Sequence, residues 1–178
     1  GYMRSLSNRA HLRFRGQVVP LIGRVSNFEV LKMDYTPRIT AAAGSGVTIN
    51  GNQYYVPAAT STASTGEVQN VDNRFMNLAI TVTSGTVKVG DAFTIQNVNA
   101  VHHITKQDTG QPKTFRVTAI VSGAGGTGTI QITPPIISAT GGSQAEIQYQ
   151  NVTTQAATGA TVTWLNTVAG YMNPFWRQ

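Results

Sequence analysis

Histidines and carboxylates, the side chains that most often hold metals or transfer protons, are few in this chain. Its 178 residues include three histidines, seven acidic residues and no cysteine. His102 and His103 are adjacent, and in an extended segment adjacent side chains point to opposite sides. The spacings H-x-E and H-x₃-H, typical of zinc ligands, do not occur. We therefore predict loop or surface positions for both histidines, and neither a metal site nor a cofactor.

The acidic residues of the central region show no arrangement suited to catalysis. General acid–base chemistry needs two suitable groups in one cleft, and the positions of Asp91, Asp108 and Glu146 indicate no such pair. The nucleophile motif G-x-S-x-G does not occur either. Asp91 follows Gly90, which is typical of an Asx-type turn in which the carboxylate binds nearby backbone. The sequence therefore predicts that the protein is not an enzyme.

Residues 123–128, GAGGTG, match the dinucleotide-binding pattern G-x-G-x-x-G. That site requires a helix directly after the glycines, because the helix N-terminus must meet the pyrophosphate. Here the alternating run TIQIT follows, and it is typical of a strand. We therefore predict a glycine hairpin turn and no small-molecule substrate.

Positive charge is concentrated at the start of the chain. Residues 1–40 hold seven basic and two acidic residues, or +5 of the net charge of +6, whereas residues 41–178 hold six and five, or +1. The arginines could bind phosphates without sequence preference, or they could form a solvated helix face or contact a neighbouring subunit, and composition does not decide between these. They are Arg4, Arg9, Arg13 and Arg15. No apolar run reaches the roughly 18 residues of a membrane span, so no membrane partner is predicted.

Most of the chain shows the two-residue alternation of β-strands, and roughly eight short strands indicate an antiparallel sandwich or barrel. Asn50-Gly51 predicts a tight hairpin of residues 47–49 with 54–56. The turn at Gly90-Asp91 predicts a strand directly after it. Long loops are expected at 58–70 and 98–113. The remaining predicted strands are 77–83, 114–121, 128–134, 145–152 and 160–165.

The first forty residues have a different texture. Apolar residues recur every four positions and predict a helix over residues 1–15; they are Tyr2, Leu6, Ala10 and Phe14. Residues 17–22 and 24–33 are expected to be extended. Pro20 assigns the first of these to an edge or irregular strand, because proline cannot donate to a strand on that side.

Three longer stretches carry a resemblance. They are IGRVSNFEVLKMDYTP at 22–37, the run from VDNRF to TFRVTAIV at 71–121, and YQNVTTQAATGATVTW with NPFW at 149–164 and 173–176. The VDNRF start, the lysine-Gly-Asp turn and the TKQDTGQ-x-x-TF loop are the most specific parts. Together they resemble the major coat proteins of short-tailed phages of the P-twenty-two type, from about residue 23 to 176.

The resemblance implies a structural virion protein of mainly β fold. It implies an antiparallel β-barrel insertion domain of about six strands at 40–168, flanked by fragments of an HK-ninety-seven-type capsid core at 1–39 and 169–178. It also implies that the barrel supports subunit folding and contacts between capsomers, in an icosahedral shell assembled in the host bacterial cytoplasm. The expected partners are other copies of the coat protein, with scaffolding protein and packaged DNA. The chain is then expected to be part of a longer coat protein.

The resemblance also assigns contacts between subunits to two loops. The first, 57–71, contains Glu67 as its one charged residue, although relatives form salt bridges there. Either backbone and hydroxyl hydrogen bonds make this contact or the loop does not make it. The second loop, 99–113, matches a segment tied to size control of the shell. The candidate contact residues are Pro57, Thr65, Glu67, Gln69, Lys106, Gln107, Asp108 and Lys113.

Two other functions fit the sequence less well. A nucleic-acid-binding β-barrel with an arginine-rich N-terminal arm predicts steep salt dependence of binding, but residues 41–178 are nearly neutral. A carbohydrate-binding module would need exposed aromatic rings beside carboxylates. Its candidates are Tyr54, Tyr55 and Trp164, and alternation predicts that one of each neighbouring pair of residues is in the core.

Overall fold

A computed structural model describes residues 11–14, 17–25, 28–31 and 40–169. Its contacts divide the chain into two compact units. One comprises Gly1–Thr40 with Ala169–Gln178, and the other comprises Ala41–Val168. Within the described ranges, no helix is long and apolar enough to cross a membrane.

The first unit contains a three-stranded antiparallel sheet in the order β1-β2-β3. Its strands are β1 (His11–Phe14), β2 (Gln17–Val25) and β3 (Phe28–Leu31). The helix predicted over residues 1–15 is therefore wrong at 11–14, and its first ten residues lie outside the described ranges. Residues 11–14 alternate polar and apolar, and β1 pairs with β2 from Phe14 opposite Gln17 to His11 opposite Pro20. Hairpin pairing thus prevails over a weak four-residue repeat.

The strand that contains Pro20 was predicted to be an edge or an irregular strand. It lies in the middle of this sheet and extends to Val25, but its pairing with β3 is irregular between Leu21 and Gly23. On the side of β3 the pairing begins only at Leu21, which faces Leu31, the last residue of β3. Pro20 lies beyond that point. Its missing N–H therefore costs no hydrogen bond to β3.

The second unit is built on a six-stranded antiparallel sheet in the order β11-β8-β9-β10-β7-β4. Among the described residues, two short strands, β5 (Thr60–Thr62) and β6 (Val68–Asn70), form a separate two-stranded sheet. A short helix, α1 (Gln144–Tyr149), follows β10. The sheet strands are β4 (Ser45–Ile49), β7 (Met76–Ser84), β8 (Ala92–Val101), β9 (Asp108–Ser122), β10 (Gly126–Thr133) and β11 (Val162–Trp164).

The two edges of this sheet nearly meet. Thr48 of β4 bridges to Thr161, just before β11. The Ile49 N–H donates to the Ala160 carbonyl at 3.0 Å, and the Gly159 N–H donates to the Ile49 carbonyl at 2.9 Å. The predicted mainly β fold, an antiparallel barrel of about six strands, is confirmed.

Apolar side chains from alternate strand positions fill the barrel. In β7, Leu78 and Ile80 are fully buried while their neighbours are more exposed. The Phe93 ring lies 5.7 Å from that of Phe115 and 5.6 Å from that of Trp164, the latter edge to face. Each fully buried side chain of this size contributes roughly 1.5–3 kcal/mol. Trp164, once a candidate for sugar binding, is therefore largely a core residue.

The tight hairpin predicted at Asn50-Gly51 does not form. β4 pairs with β7 instead, with Ile49 opposite Ile80. Beyond Asn50, the Gln53 side chain supplies hydrogen bonds to β7 in place of backbone groups. Its amide accepts from the Ala79 N–H and donates to the Ala79 carbonyl, each at 2.8 Å. The backbone of residues 54–56 is thereby free to leave the sheet.

The strand predicted at 145–152 is also wrong, since residues 144–149 form α1. Ser143 and Glu146 cap the helix reciprocally: the Glu146 N–H donates to Ser143 Oγ, and the Glu146 carboxylate accepts from the Ser143 N–H. This S-x-x-E capping box is a recognised signal for a helix start. In contrast, the glycine hairpin turn predicted at 123–128 is confirmed, because it joins the antiparallel strands β9 and β10.

Candidate inter-subunit contact surface

Two hairpins extend from the same end of the barrel. We call residues 57–71 hairpin A and residues 99–113 hairpin B. β7 and β9 run in the same direction, because both pair antiparallel with β10. Hairpin A leads toward the start of β7, and hairpin B includes the start of β9. The strand directions therefore place both hairpins beyond one rim.

Hairpin A is more regular than the predicted loop. Its strands β5 and β6 pair with Thr60 opposite Asn70 and Thr62 opposite Val68. Backbone hydrogen bonds from Val71 N to the Ala59 carbonyl (3.1 Å) and from Ala63 N to the Glu67 carbonyl (2.8 Å) continue the ladder at each end. Threonine at both ends of β5 favours an extended strand, because β-branched side chains suit a pleated surface.

A polar cluster fixes the base of hairpin A. The Asn73 side chain accepts from the Ala58 N–H (3.1 Å) and from the Tyr55 hydroxyl (2.9 Å), and it donates to the Ala58 carbonyl (2.8 Å). Next to it, Arg74 forms a bidentate ion pair with Asp72. Hydrogen bonds from the Arg74 side chain and then its backbone N–H lower the pKa of Asp72 to about 2. The hairpin thus begins and ends at anchored residues.

The predicted contact residues of hairpin A lie on its exposed part. Thr65, Glu67 and Gln69 are exposed, whereas Pro57 at the base is half-buried. Val68 is 70% exposed. The surface can offer hydroxyl, amide and backbone groups with one apolar side chain, but little charge.

The connection within hairpin B is shorter than the loop predicted at 98–113. β8 continues to Val101 and β9 begins at Asp108, so only residues 102–107 connect them. The turn closes through hydrogen bonds from His102 N to the Gln107 carbonyl (2.8 Å) and from Lys106 N to the His102 carbonyl (2.9 Å). Ile104 at its tip is 80% exposed.

Two of the charged candidates of hairpin B form hydrogen bonds within the barrel domain itself. Lys106 Nζ donates to the Gln150 carbonyl at 3.1 Å, next to α1. The Gly110 N–H and then the Asn99 side-chain amide donate to Asp108, and these hydrogen bonds lower the pKa of its carboxyl. Gln107 is exposed, and Lys113 is half-buried. Lys106 and Asp108 are therefore less available to a neighbouring subunit than the sequence suggests.

The opposite end of the barrel holds both chain connections. Residues 40–44 enter β4 there, and residues 165–168 leave β11. The Ala42 N–H donates to the Asn166 carbonyl at 2.8 Å. The Trp164 Nε1–H donates to the Gly44 carbonyl at 2.7 Å. The incoming and outgoing segments therefore lie side by side.

Asp91 joins the outgoing connection to the barrel, a role that the sequence did not reveal. It is only 2% exposed. Oδ2 accepts from the Lys88 N–H and Oδ1 accepts from the Asn166 side-chain amide, both at 2.9 Å. The Asx-type assignment is therefore incomplete, because one partner is three residues back in the chain and the other is 75 residues ahead. The Gly90-Asp91 signal marked the turn but could not identify Asn166.

The remaining candidates do not converge on a chemical site. His102 and His103 are exposed near the tip of hairpin B, and no group of three metal-ligating side chains occurs within the described residues. Arg13 lies in β1. The other three arginines of the N-terminal cluster, Arg4, Arg9 and Arg15, lie outside the described ranges.

Comparison with known proteins gives a family match and a structural match. A family model described as P22 coat protein, gene protein 5, matches residues 20–178. Among solved structures, the CUS-3 coat protein I-domain is 42% identical, with a TM-score of 0.49; the alignment covers 67% of this chain and 95% of that chain. Since the family match spans most of the sequence, this chain belongs to the P22 coat protein family and is a structural subunit of a phage capsid, located in the virion with other copies of itself.

Proposed function

We propose that the barrel is the inserted domain of the coat subunit and that hairpins A and B contact neighbouring copies across capsomers. The observation that carries this proposal is that the two ends of the barrel differ. Both projecting hairpins lie at one end, and both chain connections lie at the other. A domain joined to its subunit at one end can present the opposite end to a neighbour.

The composition of the exposed hairpins suits weak contacts that are repeated many times. Hairpin A has one charged side chain, Glu67, so its contacts must rely on hydrogen bonds and small apolar surfaces. Such contacts are individually weak. In a symmetric shell they reinforce one another, because each subunit is held by several neighbours at once.

We also propose that the barrel supports folding of the subunit, because it has its own core and its own buried polar cluster at Asp91. Contacts with scaffolding protein and packaged DNA, and assembly in the host cytoplasm, stay predictions from the family resemblance. The alternative of a nucleic-acid-binding barrel gains no support from residues 41–168, where five basic residues balance five acidic ones.

Shortening hairpin A in the complete coat protein tests the contact. The Val71 N–H already donates to the Ala59 carbonyl. Replacing residues 60–70 by Asn-Gly should therefore close a two-residue turn without disturbing the barrel. We expect an unchanged urea midpoint for unfolding of the barrel, but a yield of closed shells that falls about tenfold or more. Shells would be counted by electron microscopy.

The control is Val89→Thr, an exposed substitution at the opposite end of the barrel. It should leave shell yield unchanged. Normal shell yield from the protein with the shortened hairpin would contradict the proposed contact through hairpin A.

A further inference from the structure

The outer edge of β5 presents backbone groups that point away from its partner strand. The hydrogen bonds at Ala59–Val71 and Ala63–Glu67 alternate along the ladder, so Ser61 and Gln69 form the hydrogen-bonded pair between them. The N–H and C=O groups of Thr60 and Thr62 must then face outward. Within the described part of the chain, no backbone hydrogen bond outside hairpin A satisfies them.

The sequence of this edge strand is palindromic, so it reads the same in both directions. Residues 59–63 read Ala-Thr-Ser-Thr-Ala. If a second copy of β5 pairs antiparallel with the first, centred on Ser61, Thr60 faces the partner's Thr62. Ser61 then faces the partner's Ser61. The outward-facing backbone groups of Thr60 and Thr62 fall in hydrogen-bonding positions in this register.

Nothing on this edge blocks such pairing. Natural edge strands usually carry lysine, proline or a bulge that prevents association. β5 has none of these, and threonines directly opposite each other are a favourable cross-strand pair. The edge of β6 is a poorer candidate, because its sequence Glu-Val-Gln-Asn-Val at 67–71 is not symmetric and includes a charge.

We propose that hairpin A joins two coat subunits by antiparallel pairing of β5 with β5 of a second copy, about a two-fold axis midway between the two copies of Ser61. The inference rests on the proposed contact through hairpin A and specifies its chemistry. The contact is isologous, because the same residues serve on both sides. It forms a sheet in the order β6-β5-β5-β6 across two subunits. Hydroxyl and backbone groups thereby replace the salt bridges expected from the family resemblance.

Cysteine cross-linking in assembled shells of the complete coat protein tests the register. Opposed non-hydrogen-bonded residues have Cβ atoms about 4.5–5.5 Å apart, close enough for a disulfide after small adjustment. Ser61→Cys should therefore give covalent dimers on mild oxidation. Gln69→Cys should not, because three strand spacings, about 14 Å, would separate the two copies. Thr65→Cys at the turn should not cross-link either.

The pattern of cross-links separates the two proposals. Dimers from Ser61→Cys alone support edge pairing. Dimers from Gln69→Cys or Thr65→Cys in its place would overturn edge pairing while retaining a contact through hairpin A. No dimers from any of the three variants, in shells of normal yield, would overturn edge pairing, and the shortened hairpin would then decide whether hairpin A makes a contact at all.

Two proline variants give a second test that does not depend on cross-linking. Thr60 and Asn70 lie opposite each other, and the N–H groups of both point away from the hairpin. Proline at either position removes one outward donor and no donor within the hairpin. We expect Thr60→Pro to lower shell yield about fivefold or more relative to Asn70→Pro, because it removes a donor from both sides of the contact. Equal yields would contradict pairing through β5.

Discussion

At the scale of single residues, Asp91 shows how a local signal can hide a long-range role. Gly90-Asp91 correctly indicated a turn before β8. The carboxylate, however, is buried and binds the Asn166 side chain on the outgoing segment. Asn166 also accepts from the Ala92 N–H through Oδ1. Sequence spacing carries no information on such a partner, because the contact exists only once the barrel has closed.

We predict that Asp91→Ala destabilises the protein by about 2–4 kcal/mol, because it removes the acceptor of the part-buried Lys88 N–H and one acceptor of the Asn166 side-chain amide. Urea unfolding followed by tryptophan fluorescence or circular dichroism measures the change. The control is Val89→Ala in the same turn, which is exposed and should cost less than about 0.5 kcal/mol. An equally small loss for Asp91→Ala would show that Asp91 does not anchor the outgoing segment.

At the scale of elements, the alternating strands were the easiest to predict. The runs at 77–83, 114–121, 128–134 and 160–165 all lie in or overlap strands of the barrel. Their side chains alternate between core and solvent, so burial directly produces the pattern. Residues 145–152 alternate in the same way, but residues 144–149 form α1, where the capping box decides the structure. Short-range alternation is therefore ambiguous when a helix-capping signal overlaps it.

The projecting strands β5 and β6 were missed for a different reason. Neither packs a face against the core, and every residue in both is exposed. Without a buried face there is no apolar alternation to detect. The family resemblance therefore located the two hairpins of the candidate site. It could not predict the strand pairing of hairpin A, its anchor at Asn73, or the hydrogen bonds that Lys106 and Asp108 form within the domain.

The cap of α1 predicts a pH dependence. Hydrogen bonds from the Ser143 side chain and then its backbone N–H, with another from the Gly141 N–H, hold the pKa of Glu146 below its ordinary value of 4.5. A lowered pKa in the folded state stabilises the protein above the ordinary value, and this stability is lost as the pH falls through the folded value. We therefore expect the free energy of unfolding to decline below about pH 4.5.

Glu146→Gln should be less stable than the wild type at pH 7 and should show a weaker decline in acid, because it cannot titrate. Urea unfolding from pH 7 to pH 3 measures both effects. As a matched variant, Ser143→Ala should shift the Glu146 pKa upward, as measured by carbon NMR of the carboxyl. An unchanged acid limb in Glu146→Gln would rule out this carboxylate as a source of the pH dependence.

At the scale of the whole molecule, the second unit carries its own core and closes on itself. The buried cluster runs through all six strands of the sheet. The incoming and outgoing segments meet at one end of the barrel through the backbone hydrogen bond from Ala42 to Asn166, and Asp91 binds the Asn166 side chain. The family resemblance placed the barrel at 40–168, and the compact unit of the structure is Ala41–Val168. The assignment of the flanking segments to a capsid core stays a prediction.

We predict that residues 41–168 expressed alone fold cooperatively into the same barrel. Far-ultraviolet circular dichroism and a single urea transition would demonstrate this. A shorter fragment that ends at Leu165 lacks Asn166 and should unfold at a lower urea concentration, because Asp91 loses a partner. Absence of β structure in the 41–168 fragment would show that the barrel depends on the flanking segments.

The hydrogen bond between Ala42 and Asn166 also has a meaning for the chain that carries the barrel. The cost of closing a flexible loop grows with the logarithm of its length, so an unfolded insertion of this size would burden any fold that had to hold its ends together. The folded barrel removes that burden, since its own bonds fix both termini beside each other. Although the barrel contains more than a hundred residues, its two ends lie as close together as the ends of a tight turn. Such a cassette could be gained, lost or exchanged between coat proteins with little change to the fold that receives it.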